Sequence, residues 1–216
     1  MATRIEQTRD FLWQQLGARK DGYLARHPAD KNYRFEHSCR VANIGRQIAR
    51  AEGLDEEGLV IACLLHDVAY GIIDTLPRWQ DHGRASAKIA RPFLEGLGLE
   101  PPRIAEICFG IAIHEDGKAD FEGAYTAFAC SVGDADAIDR FDVYRLYENL
   151  QAAGFSELPL AQKQGAVRTN LERLAEYKNL ERATPTATAL WRAKLVFQLK
   201  FYEKLAAQLR ASELQL

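Results

Sequence analysis

Leu59-Val-Ile-Ala-Cys-Leu-Leu-His66-Asp67-Val-Ala-Tyr70 is the most apolar stretch of this 216-residue chain, and it delivers an imidazole and a carboxylate side by side. The run Leu59–Leu65 falls far short of the roughly 18–20 residues that a spanning helix needs. It therefore reads as a core helix over residues 55–68, and no membrane partner is expected. Asp55-Glu-Glu leads into it with carboxylates that suit a helix N-terminus. At its other end, a buried Asp67 is costly unless a cation or several hydrogen-bond donors compensate it.

The flanking sequence carries the same periodicity. Residues 3–19 form an amphipathic helix with Ile5, Phe11, Leu12 and Leu16 on one face. A turn-rich stretch follows, then a long helix over 33–52. Beyond Gly71 the chain reads as irregular to Trp79. Helices are expected over 82–97 and 102–114, a loop over 115–118, and one or two helices over 121–150 with a break at Gly133. Long amphipathic helices over 159–181 and 186–213 complete the pattern. No alternating strand pattern stands out, and the seven prolines fall mostly between helical segments. The fold class expected is all-α: one domain over residues 1–216, with a helical core near 30–150, flanking N- and C-terminal helices and a C-terminal extension over 151–216.

Composition narrows the function classes. The apolar share of 47% and charged share of 27% are those of an ordinary globular protein, which excludes a disordered chain, a fibre and a disulfide miniprotein. A net charge of −2 argues against broad binding to nucleic acid polymers. The N-terminus lacks the apolar region of a secretion signal. Cys39, Cys63, Cys108 and Cys130 are scattered and read as thiols in a reducing compartment, so a cytoplasmic location is expected.

The five histidines are the informative residues. His37 shares a helix face with Val41, Ile44 and Ile48 and so points inward. His66-Asp67 closes one apolar helix, His114 follows Ile111-Ala-Ile113, and Ala124–Val132 runs into Gly133-Asp134-Ala-Asp136. Several apolar helices thus each present a His or Asp at one end. A divalent ion would satisfy these groups together, and imidazole with carboxylate suits Mn, Fe, Zn, Co or Ni without choosing among them. His27, beside Pro28, reads as an exposed turn residue.

In these stretches the sequence resembles the HD-domain superfamily of metal-dependent phosphohydrolases. The resemblance rests on Phe35-Glu-His37-Ser-Cys-Arg-Val, Ala62-Cys-Leu-Leu-His66-Asp67-Val and Val132-Gly-Asp134-Ala-Asp136-Ala-Ile-Asp139, and covers roughly residues 33–145. It implies that His37, His66, Asp67 and Asp134 hold one metal. Asp81-His82-Gly-Arg-Ala-Ser and Ile113-His114-Glu-Asp-Gly resemble the family's two-metal members, which implies that His82 and His114 help hold a second, with Asp67 bridging. The cofactor implied is one or two divalent ions per chain: Mn, Fe, Zn, Co, Ni or Mg.

The reaction implied is hydrolysis of a phosphoester or phosphoanhydride in a small phosphorylated molecule, a nucleotide being one candidate. Asp67 and His66 would carry the catalysis. Arg40, three residues after His37, and Lys118, in the loop after His114, are the cations expected to meet the substrate. Asp136 and Asp139 read either as partners of the ligands or as helix caps. Trp79 and Tyr70 suit stacking on a base or core packing. The chain departs from the family at Tyr70, which stands where several members place a catalytic Lys or Glu. Glu115-Asp-Gly-Lys118 lacks the Gly-Tyr-Pro of cyclic-dinucleotide phosphodiesterases. The same six ligands also resemble the family's di-iron oxygenases, which cleave C–C or C–P bonds with O₂; that is the alternative activity. The long C-terminal helix leaves homo-oligomer formation open.

Overall fold

The computed structural model describes residues 2–213. Among them the chain forms ten α-helices: α1 Arg4–Leu16, α2 Tyr23–Arg26, α3 Pro28–Glu52, α4 Glu56–Leu65, α5 His82–Gly96, α6 Pro101–Ile113, α7 Ala127–Arg140, α8 Val143–Ala152, α9 Leu160–Glu176 and α10 Pro185–Arg210. Three short 3-10 segments (Val68–Thr75, Trp79–Asp81, Phe155–Glu157) join them, and no strand occurs among the described residues. The fold is all-α. The chain divides into two compact units, Met1–Asp139 and Arg140–Leu216. Met1 and residues 214–216 of the expected domain lie outside the described residues.

The first unit is organised around α4. Every residue from Gly58 to Leu65 is buried, because this helix is apolar on all sides. It packs against α3, α1 and α6, and α5 packs against α6. Asp55 caps α4 by accepting from the Gly58 N–H. Thr3 and Glu6 form a capping box at the start of α1. Gly53, at φ 67°, closes α3 in the left-handed conformation that lacks a Cβ penalty. The 20-residue segment Glu56–Thr75 is long and apolar enough to pass for a membrane span, but 72% of its apolar window is buried inside the fold. It is also not one helix: α4 stops at Leu65, and a 3-10 segment takes over after His66 and Asp67.

The second unit holds α8–α10. Leu146, Val167, Leu174, Leu195 and Tyr202 form its core. Asp142 caps α8 and Thr184 caps α10.

The elements depart from expectation in several places, α2 within the turn-rich stretch among them. The long helix starts at Pro28 rather than residue 33, because proline at the first helical position lacks an N–H that would be unpaired there anyway. The stretch 121–126 is not helical. The break expected at Gly133 does not occur; α7 runs through it and ends at Arg140. Gly133 serves close approach instead: a Cβ there would sit 2.8 Å from the His114 carbonyl oxygen.

Candidate metal centre

Three histidines are positioned by one local device. His66 follows the last residue of α4, His114 follows the last residue of α6, and His82 opens α5 after the 3-10 turn at Trp79. The last carbonyls of a helix have no partner within it. His66 Nδ1 lies 2.7 Å from the Cys63 carbonyl oxygen, and His114 Nδ1 lies 2.8 Å from that of Ile111. His82 Nδ1 lies 2.6 Å from the Trp79 carbonyl oxygen. In each case the partner stands three residues earlier. A carbonyl can only accept, so each Nδ1 carries the hydrogen and each Nε2 presents a lone pair.

His37 fixes its Nδ1 hydrogen through a side chain instead, which leaves Nε2 as the nitrogen that would bind an ion once it gives up its proton. Its Nδ1 lies 2.7 Å from Asp139 Oδ2, and Arg40 holds that carboxylate from the other side through Nε at 2.8 Å and Nη2 at 3.2 Å. Asp139 and Arg40 therefore fix the tautomer and orientation of His37.

The four Nε2 atoms converge in pairs. His37 and His66 place theirs 3.3 Å apart, and His82 and His114 place theirs 3.1 Å apart. Two imidazole lone pairs facing each other at that distance repel, unless a proton or a metal cation stands between them. Asp67 spans both pairs. Its Oδ1 is 3.2 Å from His82 Nε2 and 3.6 Å from His114 Nε2. Its Oδ2 is 3.6 Å from His66 Nε2 and 3.8 Å from His37 Nε2. Asp136 joins the first pair, with Oδ1 3.1 Å from His37 Nε2 and 3.8 Å from His66 Nε2.

Three overlapping groups of donors are each compact enough to hold an ion: His37, His66 and Asp136; His66, Asp67 and His114; and His82, His114 and Glu115. Imidazole nitrogens and carboxylate oxygens are the donors that first-row divalent ions take. The four histidine side chains and Asp67 are each at most 4% exposed. These residues fit a centre for one or two divalent ions.

The structure thus brings together His37, His66, Asp67, His82 and His114. Asp134 belongs to none of the donor groups among the described residues, and the α7 carboxylate facing His37 and His66 is Asp136. Helical geometry gives the reason. Asp136 and Asp139 are three residues apart and share a face, on which both meet His37. Asp134 is two residues from Asp136, on a different face of α7, and it acts electrostatically on Cys130 one turn earlier. Arg40 forms an ion pair with Asp139. Lys118 is exposed in the loop, where its N–H donates to Asp116 and its carbonyl accepts from Arg84.

Arg34 belongs to the centre and has no counterpart in the sequence reading. Its Nη1 donates to Asp67 Oδ2 at 3.0 Å, and its guanidinium lies 3.6 Å from the centre of the Tyr70 ring. It stands three residues before His37, one helical turn away on the same face; that spacing was the available signal.

Burial and charge set the protonation states. Burial pushes His66 down to about 4, so this imidazole is neutral near pH 7. Burial also penalises the charged form of His37, but Asp136 and Asp139 outweigh it and raise the group to about 9. Burial works against ionised Asp67 too, yet His66, His114, His82 and Arg34 hold it well below the usual carboxylate range.

Fold and donors define the class first: an all-α protein that gathers four histidines and buried carboxylates into a site suited to divalent ions. A family model for the HD domain matches residues 34–142, half of the chain and the span that contains all of these donors. The chain belongs to the HD-domain family. The crystal structure of a predicted HD superfamily hydrolase from an uncultured Thermotogales bacterium resembles it with a TM-score of 0.62 at 19% identity, covering 94% of this chain and 91% of that one. At that identity the likeness is one of fold. No curated protein matches the chain.

Two predictions follow from the geometry. Asp136→Ala loses an ion that wild type retains, whereas Asp134→Ala keeps the wild-type content, as read by elemental mass spectrometry; equal loss in both would contradict the placement of Asp136. In the metal-free protein His37 holds a proton below about pH 9. Ligands must be deprotonated, so Mn²⁺ affinity should rise between about pH 6.5 and 8.5, with release of roughly one proton from His37 as the ion binds. Calorimetric titration in buffers of different ionisation enthalpy measures that release, and pH-independent binding would contradict it.

Proposed function

We propose that the chain is a metal-dependent phosphohydrolase that cleaves a phosphoester or phosphoanhydride of a small molecule, with a nucleotide as one candidate. One observation carries this reading: Asp67 directs one carboxylate oxygen at the His37–His66 pair and the other at the His82–His114 pair. When bound, divalent ions supply a water acidified from about 15.7 toward 7 and neutralise charge on phosphoryl oxygens.

The remaining work falls to the chain itself. Asp67 fixes the spacing of the two histidine pairs. The carbonyls of Cys63, Trp79 and Ile111 and the Asp139 carboxylate hold the Nδ1 protons, so none of the four rings has to reorient. Burial of the donors keeps bulk water from screening the charges. Three carboxylates (Asp67, Asp136, Asp139) face two guanidinium groups (Arg34, Arg40), and two divalent ions reverse the sign of that balance in favour of an anionic substrate.

The same reading has the enzyme act on a small molecule in the cytoplasm, where free thiols such as Cys63 and Cys108 stay reduced. Pairing with a second copy through α10 belongs to it as an oligomeric proposal.

Phosphate release from p-nitrophenyl phosphate, nucleoside phosphates and sugar phosphates, with Mn²⁺, Co²⁺ or Zn²⁺ supplied in turn, tests the reading. Metal-dependent release in wild type and a loss of at least a hundredfold in Asp67→Ala are expected. No release on any substrate, together with two bound irons and O₂ consumption, would replace this reading with a di-iron oxygenase.

A further inference from the structure

We infer that Arg34, held by Tyr70, is the arginine that receives the phosphate of the substrate; this inference rests on the phosphohydrolase reading above. The donors of the centre are sealed, with His66 at 0%, His37 and His114 at 1%, His82 at 2% and Asp67 at 4% side-chain exposure. Arg34 touches Asp67 directly and keeps 22% of its side chain in solvent. It therefore joins the bridging carboxylate to the water outside.

Its bonding leaves capacity for an anion. A guanidinium has five N–H donors, and the bond to Asp67 Oδ2 uses one of them, at Nη1. Arg40, by contrast, spends both Nε and Nη2 on Asp139. Arg40 is a positioning residue for His37, while Arg34 keeps a fork of donors suited to the paired oxygens of a phosphate.

Tyr70 sets the plane of that fork. Its ring lies 3.6 Å from the Arg34 guanidinium carbon and packs edge-on against His82 at 5.2 Å between ring centres. One aromatic side chain thus connects the cation near the first histidine pair with a ligand of the second. Stacking on a ring face orients the planar guanidinium without consuming its in-plane N–H donors. Tyr70 stands where several members of the family place a Lys or Glu; here the cation comes from α3 and rests on the tyrosine. The group recognised is a phosphoryl dianion with at least two free oxygens, as in a terminal phosphate.

Inorganic phosphate is the probe. Its binding to the Mn²⁺-loaded full-length protein is measured by calorimetry, beside metal content and steady-state kinetics. Arg34→Ala should keep its metal and lose phosphate affinity about ten- to a hundredfold, the range of one or two charge-assisted hydrogen bonds. Arg34→Lys, which keeps the charge without the fork, should still lose several-fold. Tyr70→Leu should weaken phosphate binding, and Tyr70→Phe, which keeps the ring face, should restore it. In turnover the loss should fall on KM more than on kcat for a substrate whose phosphate is bound before reaction.

Unchanged phosphate affinity in a metal-replete Arg34→Ala or Arg34→Lys protein overturns the inference. Loss of metal from a folded Arg34 variant also overturns it, by assigning the guanidinium to holding Asp67. Should Arg34→Ala fail to fold, Arg34→Lys gives the same reading. If wild type binds no phosphate at all, the phosphohydrolase reading itself fails.

Discussion

The structure depends on the burial of one carboxylate. Asp67 lies at the end of the most apolar helix in the chain and is 3% exposed. An ionised carboxylate in such a place costs several kcal/mol unless its lone pairs are met. The fold meets them from every side: His66 is adjacent in sequence, Arg34 and His37 come from α3, His82 from α5 and His114 from the end of α6. The packing of α3, α5 and α6 around α4 can therefore be read as the assembly of a ligand shell about that oxygen pair.

A second constraint is the state of the histidines. A ligand nitrogen must be deprotonated, and in a buried ring the other nitrogen decides which one is. This protein settles the matter mostly with backbone. Three rings tie Nδ1 to a carbonyl three residues back, which satisfies a polar group at the edge of a helix and aims the opposite nitrogen inward. Only His37, in the middle of α3, lacks a loose carbonyl to use and takes Asp139 instead. Close helix approach completes the arrangement. A Cβ at Gly83 would stand 2.7 Å from the Ala112 carbonyl oxygen, and one at Gly133 would press on the His114 backbone, so α5 and α7 come within reach of His114 only because those positions are glycine.

The helical architecture and most of the centre were legible in the sequence. The apolar run Leu59–Leu65 identified the core helix, and the placement of His66, Asp67 and His114 at the ends of apolar segments identified the residues that need a cation. Register within a single helix was less accessible. Asp134 and Asp136 lie in the same short motif, and which of the two meets His37 depends on the face that α7 turns toward that ring. Gly133 read as a helix break because glycine favours one, yet its missing side chain serves an inter-helix contact. Arg34 was hidden because a basic residue near a helix start is usually solvated. Its partner Asp67 is distant in sequence, and no local pattern joins the two.

The most direct test of the central claim, that Asp67 stands between two ion sites, is anomalous X-ray diffraction from crystals of the Mn²⁺-loaded protein. The account predicts two anomalous peaks on either side of the Asp67 carboxylate, about 3.5–4 Å apart as in other two-metal sites. One should be bounded by His37, His66 and Asp136, the other by His82 and His114. Peaks remote from Asp67, or a fully loaded crystal with no peak beside it, would contradict the account.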